Sequence, residues 1–171
     1  MRKTSKHFLT VVFLVAALVF AFMQVATAQM MPCNYKEYGL DAEKFYVYLT
    51  RDTPYVQWSL LPGTEKFSPG KEPHGAFLTT YANPVALQSI ADKKGLEYGS
   101  LFVLENYDRD KKLTSLAVMI KIKGYNPGKG DWHWFHYAPN GKVLATGRID
   151  TCIQCHEAMK DNDFMMAAPL K

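Results

Sequence analysis

Near the C-terminus, Cys152-Ile153-Gln154-Cys155-His156 gathers two thiols and an imidazole within five residues. The spacing C-x-x-C-H is the one that covalent attachment of a c-type haem requires. On a helical turn the two thiols share one face, with Cβ atoms about 5–6 Å apart. That separation suits thioether bonds to the two vinyl groups along one edge of a porphyrin. His156 then brings its imidazole under the iron as a proximal ligand. Other chemistries use parts of the same pattern. A zinc site wants a second ligand pair, and Cys33 is the one cysteine left. A redox dithiol normally opens a βαβ unit rather than closing a chain. A structural disulfide is the third alternative.

Haem attachment of this kind takes place outside the bacterial inner membrane, and the N-terminus agrees with export. Arg2, Lys3 and Lys6 form a basic start, Phe8 to Met23 is a nearly unbroken apolar run, and Val25-Ala26-Thr27-Ala28 ends in an Ala-x-Ala site. Residues 1–28 are therefore expected to be a signal peptide and residues 29–171 a single haem-binding domain, located in the periplasm. The apolar run is short for a spanning helix, Cys33 lacks a lipobox, and nothing later could cross a membrane. The formal charge of +4 falls to +1 when the three leader bases are subtracted. Such a balance gives no footing for nucleic acid or an anionic membrane surface.

The elements that must position the motif are read from periodicity and punctuation. Asp41 caps a helix to about Thr50, with Phe45, Tyr48 and Leu49 as its buried stripe. A turn or short helix follows at Pro54 to Trp58, and Pro62 to Pro73 reads as an exposed loop. Gly75 to Tyr81 is a strand, and Asn83-Pro84 opens a helix to about Lys94. Strands follow at Ser100 to Tyr107, Leu113 to Lys123 and Trp132 to Tyr137, with turn signals at Asp108-Arg109-Asp110 and Pro139-Asn140-Gly141. Gly124 to Gly130 lacks the ending of a phosphate loop and reads as a hairpin turn. The motif helix, Cys152 to about Met159, closes the chain. The fold class is α+β: an antiparallel sheet with packed helices and a C-terminal haem-binding helix.

With these elements in order, residues from about 54 to 165 resemble the cytochrome P-460 family, which includes the cytochromes c′-beta. The resemblance lies in His74-Gly75, Thr80-Tyr81-Ala82-Asn83-Pro84 and Gly99 to Asn106 (GSLFVLEN). It continues through Lys121 to Tyr125, Asp131-Trp132, Asn140-Gly141-Lys142 and Cys152 to Phe164 (CIQCHEAMKDNDF). It implies a homodimer with one haem c per chain, held by Cys152, Cys155 and His156, and a five-coordinate iron with an open distal face. Members that oxidise hydroxylamine cross-link a lysine to the porphyrin from a V-K-E stretch. Here the stretch reads Val103-Leu104-Glu105, so Leu104 takes the lysine's place. The acidic distal group of those enzymes falls near Leu116 to Val118, where no carboxylate stands. Lys121 and Lys123 are the alternative cross-linking residues.

An apolar distal face has a physical consequence. An anionic or strongly hydrogen-bonding ligand loses its hydration there without compensation, whereas neutral NO or CO loses almost nothing. Phe77 and Phe102, with Leu78 and Leu104 beside them, are the candidates for that cap, against the plainer role of sheet core. His74, His133 and His136 are weighed as sixth ligands. Trp132, Trp134 and His136 fall on one strand face, and His133, Phe135 and Tyr137 on the other. Met159 falls on the proximal side, while Met165 and Met166 read as hydrophobic filler. Arg148 is a candidate partner for a haem propionate. The resulting expectation is a haem protein that binds NO or a related small nitrogen ligand, with or without redox turnover. Oxidation of hydroxylamine or NO, with Glu105 or a water moving protons, is the enzymatic alternative. Electron transfer to a soluble partner is the third.

Overall fold

The computed structural model describes residues 40–167 and 170. The expected signal peptide at 1–28 and Cys33 lie outside the described residues. The first helix, α1, spans Ala42–Val47 and continues as one π-helical turn, Tyr48–Asp52. Asp41 caps it as expected, its Oδ1 accepting from the backbone N–H groups of Glu43 and Lys44, each at 3.1 Å. A 3₁₀ turn at Tyr55–Gln57 leads into two very short strands, β1 (Ser59–Leu60) and β2 (Ser68–Pro69).

The body of the molecule is an antiparallel sheet of seven strands. β3 (Phe77–Ala82) is followed by helix α2 (Pro84–Asp92), then β4 (Leu101–Tyr107), β5 (Leu113–Lys121), β6 (Trp132–Tyr137) and β7 (Val143–Gly147). Their order is β1-β3-β4-β5-β6-β7, with β2 also paired to β3. Helix α3 (Asp150–His156) carries the motif and runs into a 3₁₀ segment, Glu157–Asn162. Among the described residues no helix is long and apolar enough to cross a membrane.

Asn83 is buried and joins the start of α2 to the start of β4. Its Oδ1 accepts from the N–H of Ala86 at 2.9 Å and of Leu101 at 3.1 Å, and its Nδ2 donates to the Gly99 carbonyl at 2.9 Å. Pro84 at the first helical position costs no hydrogen bond there. The Gly-rich stretch after β5 is wrapped around one carboxylate: Asp131 accepts from Gly124 N–H and Asn126 N–H. A 3₁₀ turn, Pro127–Lys129, lies within that loop.

Each face of the sheet buries its own cluster, because alternate residues of a strand point oppositely. On one face α1 lays Phe45, Tyr48 and Leu49 against Leu101, Val103, Leu116, Val118, Phe135 and Tyr137. The Phe45 and Phe135 rings stack at 4.6 Å, and the Tyr137 hydroxyl donates to the Ala42 carbonyl. On the other face α2 and α3 set Ala86 and Ile153 against Phe102, Met119, Trp132 and Trp134, with Phe164 and Met165 alongside. The motif therefore belongs to the second face.

Candidate haem site

The motif helix is only seven residues long and has no side-chain N-cap. Propensity does little for so short a helix, so packing of Ile153 into the second cluster is what holds it. Both motif thiols are free, Cys155 exposed and Cys152 half-buried. His156 has one ring nitrogen already committed. Its Nδ1 lies 2.6 Å from the Phe164 carbonyl oxygen, and since that oxygen can only accept, Nδ1 carries the proton. Nε2 is then the unprotonated nitrogen, the tautomer a metal ligand needs. Trp134 stands edge-on to the imidazole at 4.7 Å between ring centroids. Burial lowers the basicity of His156; the Phe164 carbonyl works against that shift and the imidazole of His74 adds to it.

Beyond Trp134 the sheet presents a cross-strand row, Thr80, Leu104, Ala117, His136 and Ala145, aligned by register from β3 to β7. All five are half-buried, although β4 and β5 are central strands. On the opposite face of the same strands Val103 and Val118 are fully enclosed. Thiols at one end, an imidazole with free Nε2 and a flat, partly exposed row on central strands fit a haem, whose ring is broad, planar and mostly apolar.

The next row sets Leu78 beside two polar residues, Asn106 and Ser115. The Asn106 Oδ1 lies 3.1 Å from His74 Nδ1, and the Asn106 Nδ2 donates to the Ser115 hydroxyl. A groove of about 370 Å³ lined by Pro73, His74, Asn106, Tyr107, Arg109 and Ser115 opens at this corner. His136 is also held below its ordinary basicity, first by burial and then by His74.

The residues expected around the distal face separate accordingly. Leu78, Phe102 and Leu104 lie on the motif's face, with Phe102 packed into the core 6.2 Å from the Trp132 ring. Phe77 does not share it: paired with Tyr107 and in phase with Tyr81, it points to the α1 side, where the Lys111 ammonium lies 5.4 Å from its ring. Glu105 is also turned away. It pairs with Thr79 across the strands, and its carboxylate accepts from the hydroxyls of Tyr55 at 2.8 Å and Tyr107 at 2.6 Å. A proton-transfer role at the motif's face is not open to it in this geometry. Burial and the Glu105 carboxylate raise the Tyr55 hydroxyl far above its ordinary range, keeping it a donor.

Arg148 follows β7 directly, donating to the Tyr125 carbonyl at 2.5 Å and lying 5.2 Å from its ring. His133 belongs to the α1 side, buried, with Nε2 at 3.0 Å from the Thr146 hydroxyl. Lys121 points to the motif's face but its ammonium is bonded to Asp163, and Lys123 is exposed. Met165 is core and Met166 is exposed.

A family model, Cytochrome P460, matches residues 53–167. The chain belongs to the cytochrome P460 family. It is thus a haem-binding cytochrome, and the matched span covers the whole sheet from β1 to β7 together with α3. No curated protein matches the chain. Sequence reasoning missed the Asn106–His74 bond at the corner of this cytochrome's site. His74-Gly75 and the Asn of GSLFVLEN were both visible, but only strand pairing joins residues 32 positions apart.

Proposed function

We propose that this cytochrome carries one haem c through thioethers at Cys152 and Cys155, with His156 Nε2 as proximal ligand and an open opposite face that binds a small neutral nitrogen ligand such as NO. The observation that carries this is the His156 imidazole, fixed at Nδ1 and free at Nε2, beside a half-exposed row that includes Leu104 and Ala117. The haem supplies the iron that binds the ligand. The protein supplies position and polarity: Trp134 and the Phe164 carbonyl orient the imidazole. Leu104, Leu78 and Ala117 offer no hydrogen bond, so a neutral diatomic enters without the desolvation cost an anion bears. The leader-like N-terminus supports a periplasmic location, and soluble redox proteins are the partners such a location implies.

The polar corner of His74, Asn106 and Ser115 favours a second reading, redox turnover of a hydroxylated nitrogen compound, because those groups can hold a proton-bearing substrate. The two are separated by titrating the reduced protein with NO and, in parallel, supplying hydroxylamine with an electron acceptor. Saturation at one NO per haem with no acceptor reduction supports the binding role. Steady reduction of the acceptor overturns it in favour of the enzyme.

A further inference from the structure

Two ion pairs flank the segment that follows His156, and they differ in kind. Lys129 bonds Glu157 with side chains 36% and 46% exposed, whereas Lys121 bonds Asp163 at 13% and 14%. An exposed pair contributes little and is easily screened. The enclosed one is fixed by further bonds from two other parts of the chain. The Asp163 Oδ2 also accepts from Leu96 N–H at 3.1 Å, and its carbonyl accepts from Trp132 Nε1 at 3.1 Å. The Lys121 ammonium lies 5.6 Å from the Trp132 ring.

These contacts stabilise a backbone shape that the residues alone disfavour. Asp163 and Phe164 are consecutive left-handed residues, at φ 55° and 64°, a region unfavourable to side chains with a Cβ and least so to Asp and Asn. The turn closes with Asp163 N–H donating to the Lys160 carbonyl and Phe164 N–H to the Met159 carbonyl. Gly130 leaves room for it, since a Cβ there would lie 2.6 Å from the Phe164 ring. Its outcome is the direction of one group, the Phe164 carbonyl that receives His156 Nδ1–H.

We propose that Lys121 and Asp163 are positioning residues for the proximal histidine: their ion pair locks the 163–164 turn, which aims the Phe164 carbonyl at His156 Nδ1 and so fixes the ligand's tautomer and basicity. The inference rests on His156 being the iron ligand. A well-made Nδ1–H hydrogen bond makes the imidazole a stronger donor, strengthening its bond to iron and favouring the ferric state.

The test uses the holoprotein with Lys121→Met, Asp163→Asn and, for comparison, Lys129→Met. Asn accepts the left-handed conformation, so Asp163→Asn removes the ion pair that locks the turn without adding backbone strain of its own. The readouts are the ferrous iron–histidine stretch in resonance Raman spectra, the midpoint potential and the thermal midpoint. Lys121→Met and Asp163→Asn are expected to lower the stretching frequency and raise the potential, with Lys129→Met unchanged in both. A merely structural ion pair lowers the thermal midpoint alone. A wild-type stretch and potential in either variant overturns the inference. Absence of any iron–histidine stretch in the wild type sinks the ligation reading itself, and the inference with it.

Discussion

Val103 and Leu104 are neighbours on β4 with opposite surroundings. Val103 is fully enclosed under α1, among Leu101, Val118 and the aromatic rings of the first cluster. Leu104 is half-buried on the motif's side, in the row that runs from Thr80 to Ala145. The same contrast separates Glu105, which accepts from the Tyr55 and Tyr107 hydroxyls on the α1 side, from Asn106, which holds His74 on the other. One side of the sheet is a finished core. The other has the motif helix with its oriented imidazole at one end and an incompletely covered centre. A shift of one residue in register exchanges these roles completely, so the chemistry available to the haem depends on strand phase as much as on residue type.

The largest test of this contrast places the same charge on each side. Val103→Lys buries an ammonium with no partner and is expected to cost more than about 4 kcal/mol, enough to prevent folding. Leu104→Lys leaves its ammonium at a half-exposed site and is expected to cost about 1 kcal/mol while altering the haem absorption. Circular dichroism and the haem spectrum of both variants check the pair; similar stability losses would erase the distinction between the faces.

A pH test comes next. His133, buried on the α1 side, is pushed down to about 4 by desolvation. Above about pH 7 it is neutral whether the chain is folded or not and contributes nothing pH-dependent. Between its ordinary value of 6.5 and about 4, the unfolded chain binds a proton that the folded chain refuses. Stability therefore falls with pH through that window, by about 3 kcal/mol. Denaturant titrations of wild type and His133→Phe at pH 7 and pH 4.5 should show a smaller acid loss in the variant. Equal losses would mean that this face admits the proton.

The smallest effect concerns Glu105. Glu105→Gln keeps the shape but weakens two charge-assisted hydrogen bonds, and is expected to cost about 1–2 kcal/mol with the haem spectrum and ligand binding unchanged. A change in ligand affinity without loss of stability would put Glu105 back among the residues acting on the haem.

Much of the frame was legible from local signals. Asp41 and Asn83-Pro84 announced their helices because caps act within three residues, and β3 to β6 showed themselves by β-branched and aromatic runs between turns. The family likeness rested on motifs in order along the chain, and the matched span bears it out. Less legible was β7, Val143–Gly147, an edge strand with no fully buried residue and a composition close to that of a loop. β1 and β2 have two residues each and exist only through pairing with β3. The distal expectations divided on the same ground. Alternation along β3 groups Phe77 with Thr79 and Tyr81, but only register against β4 and burial say which group faces the motif. Leu78 and Leu104 stand on the motif's face, whereas the polar corner of His74 and Asn106 arises from a contact between distant segments.

The central claim is that α3 and the half-covered row hold a haem with His156 on one side of the iron and an open position on the other. The absorption spectrum of the reduced, ligand-free protein tests it most directly. A broad high-spin spectrum, shifting when NO is added, is the predicted result. Sharp low-spin bands would show a sixth protein ligand, with His74 or His136 the first to suspect, and would contradict it.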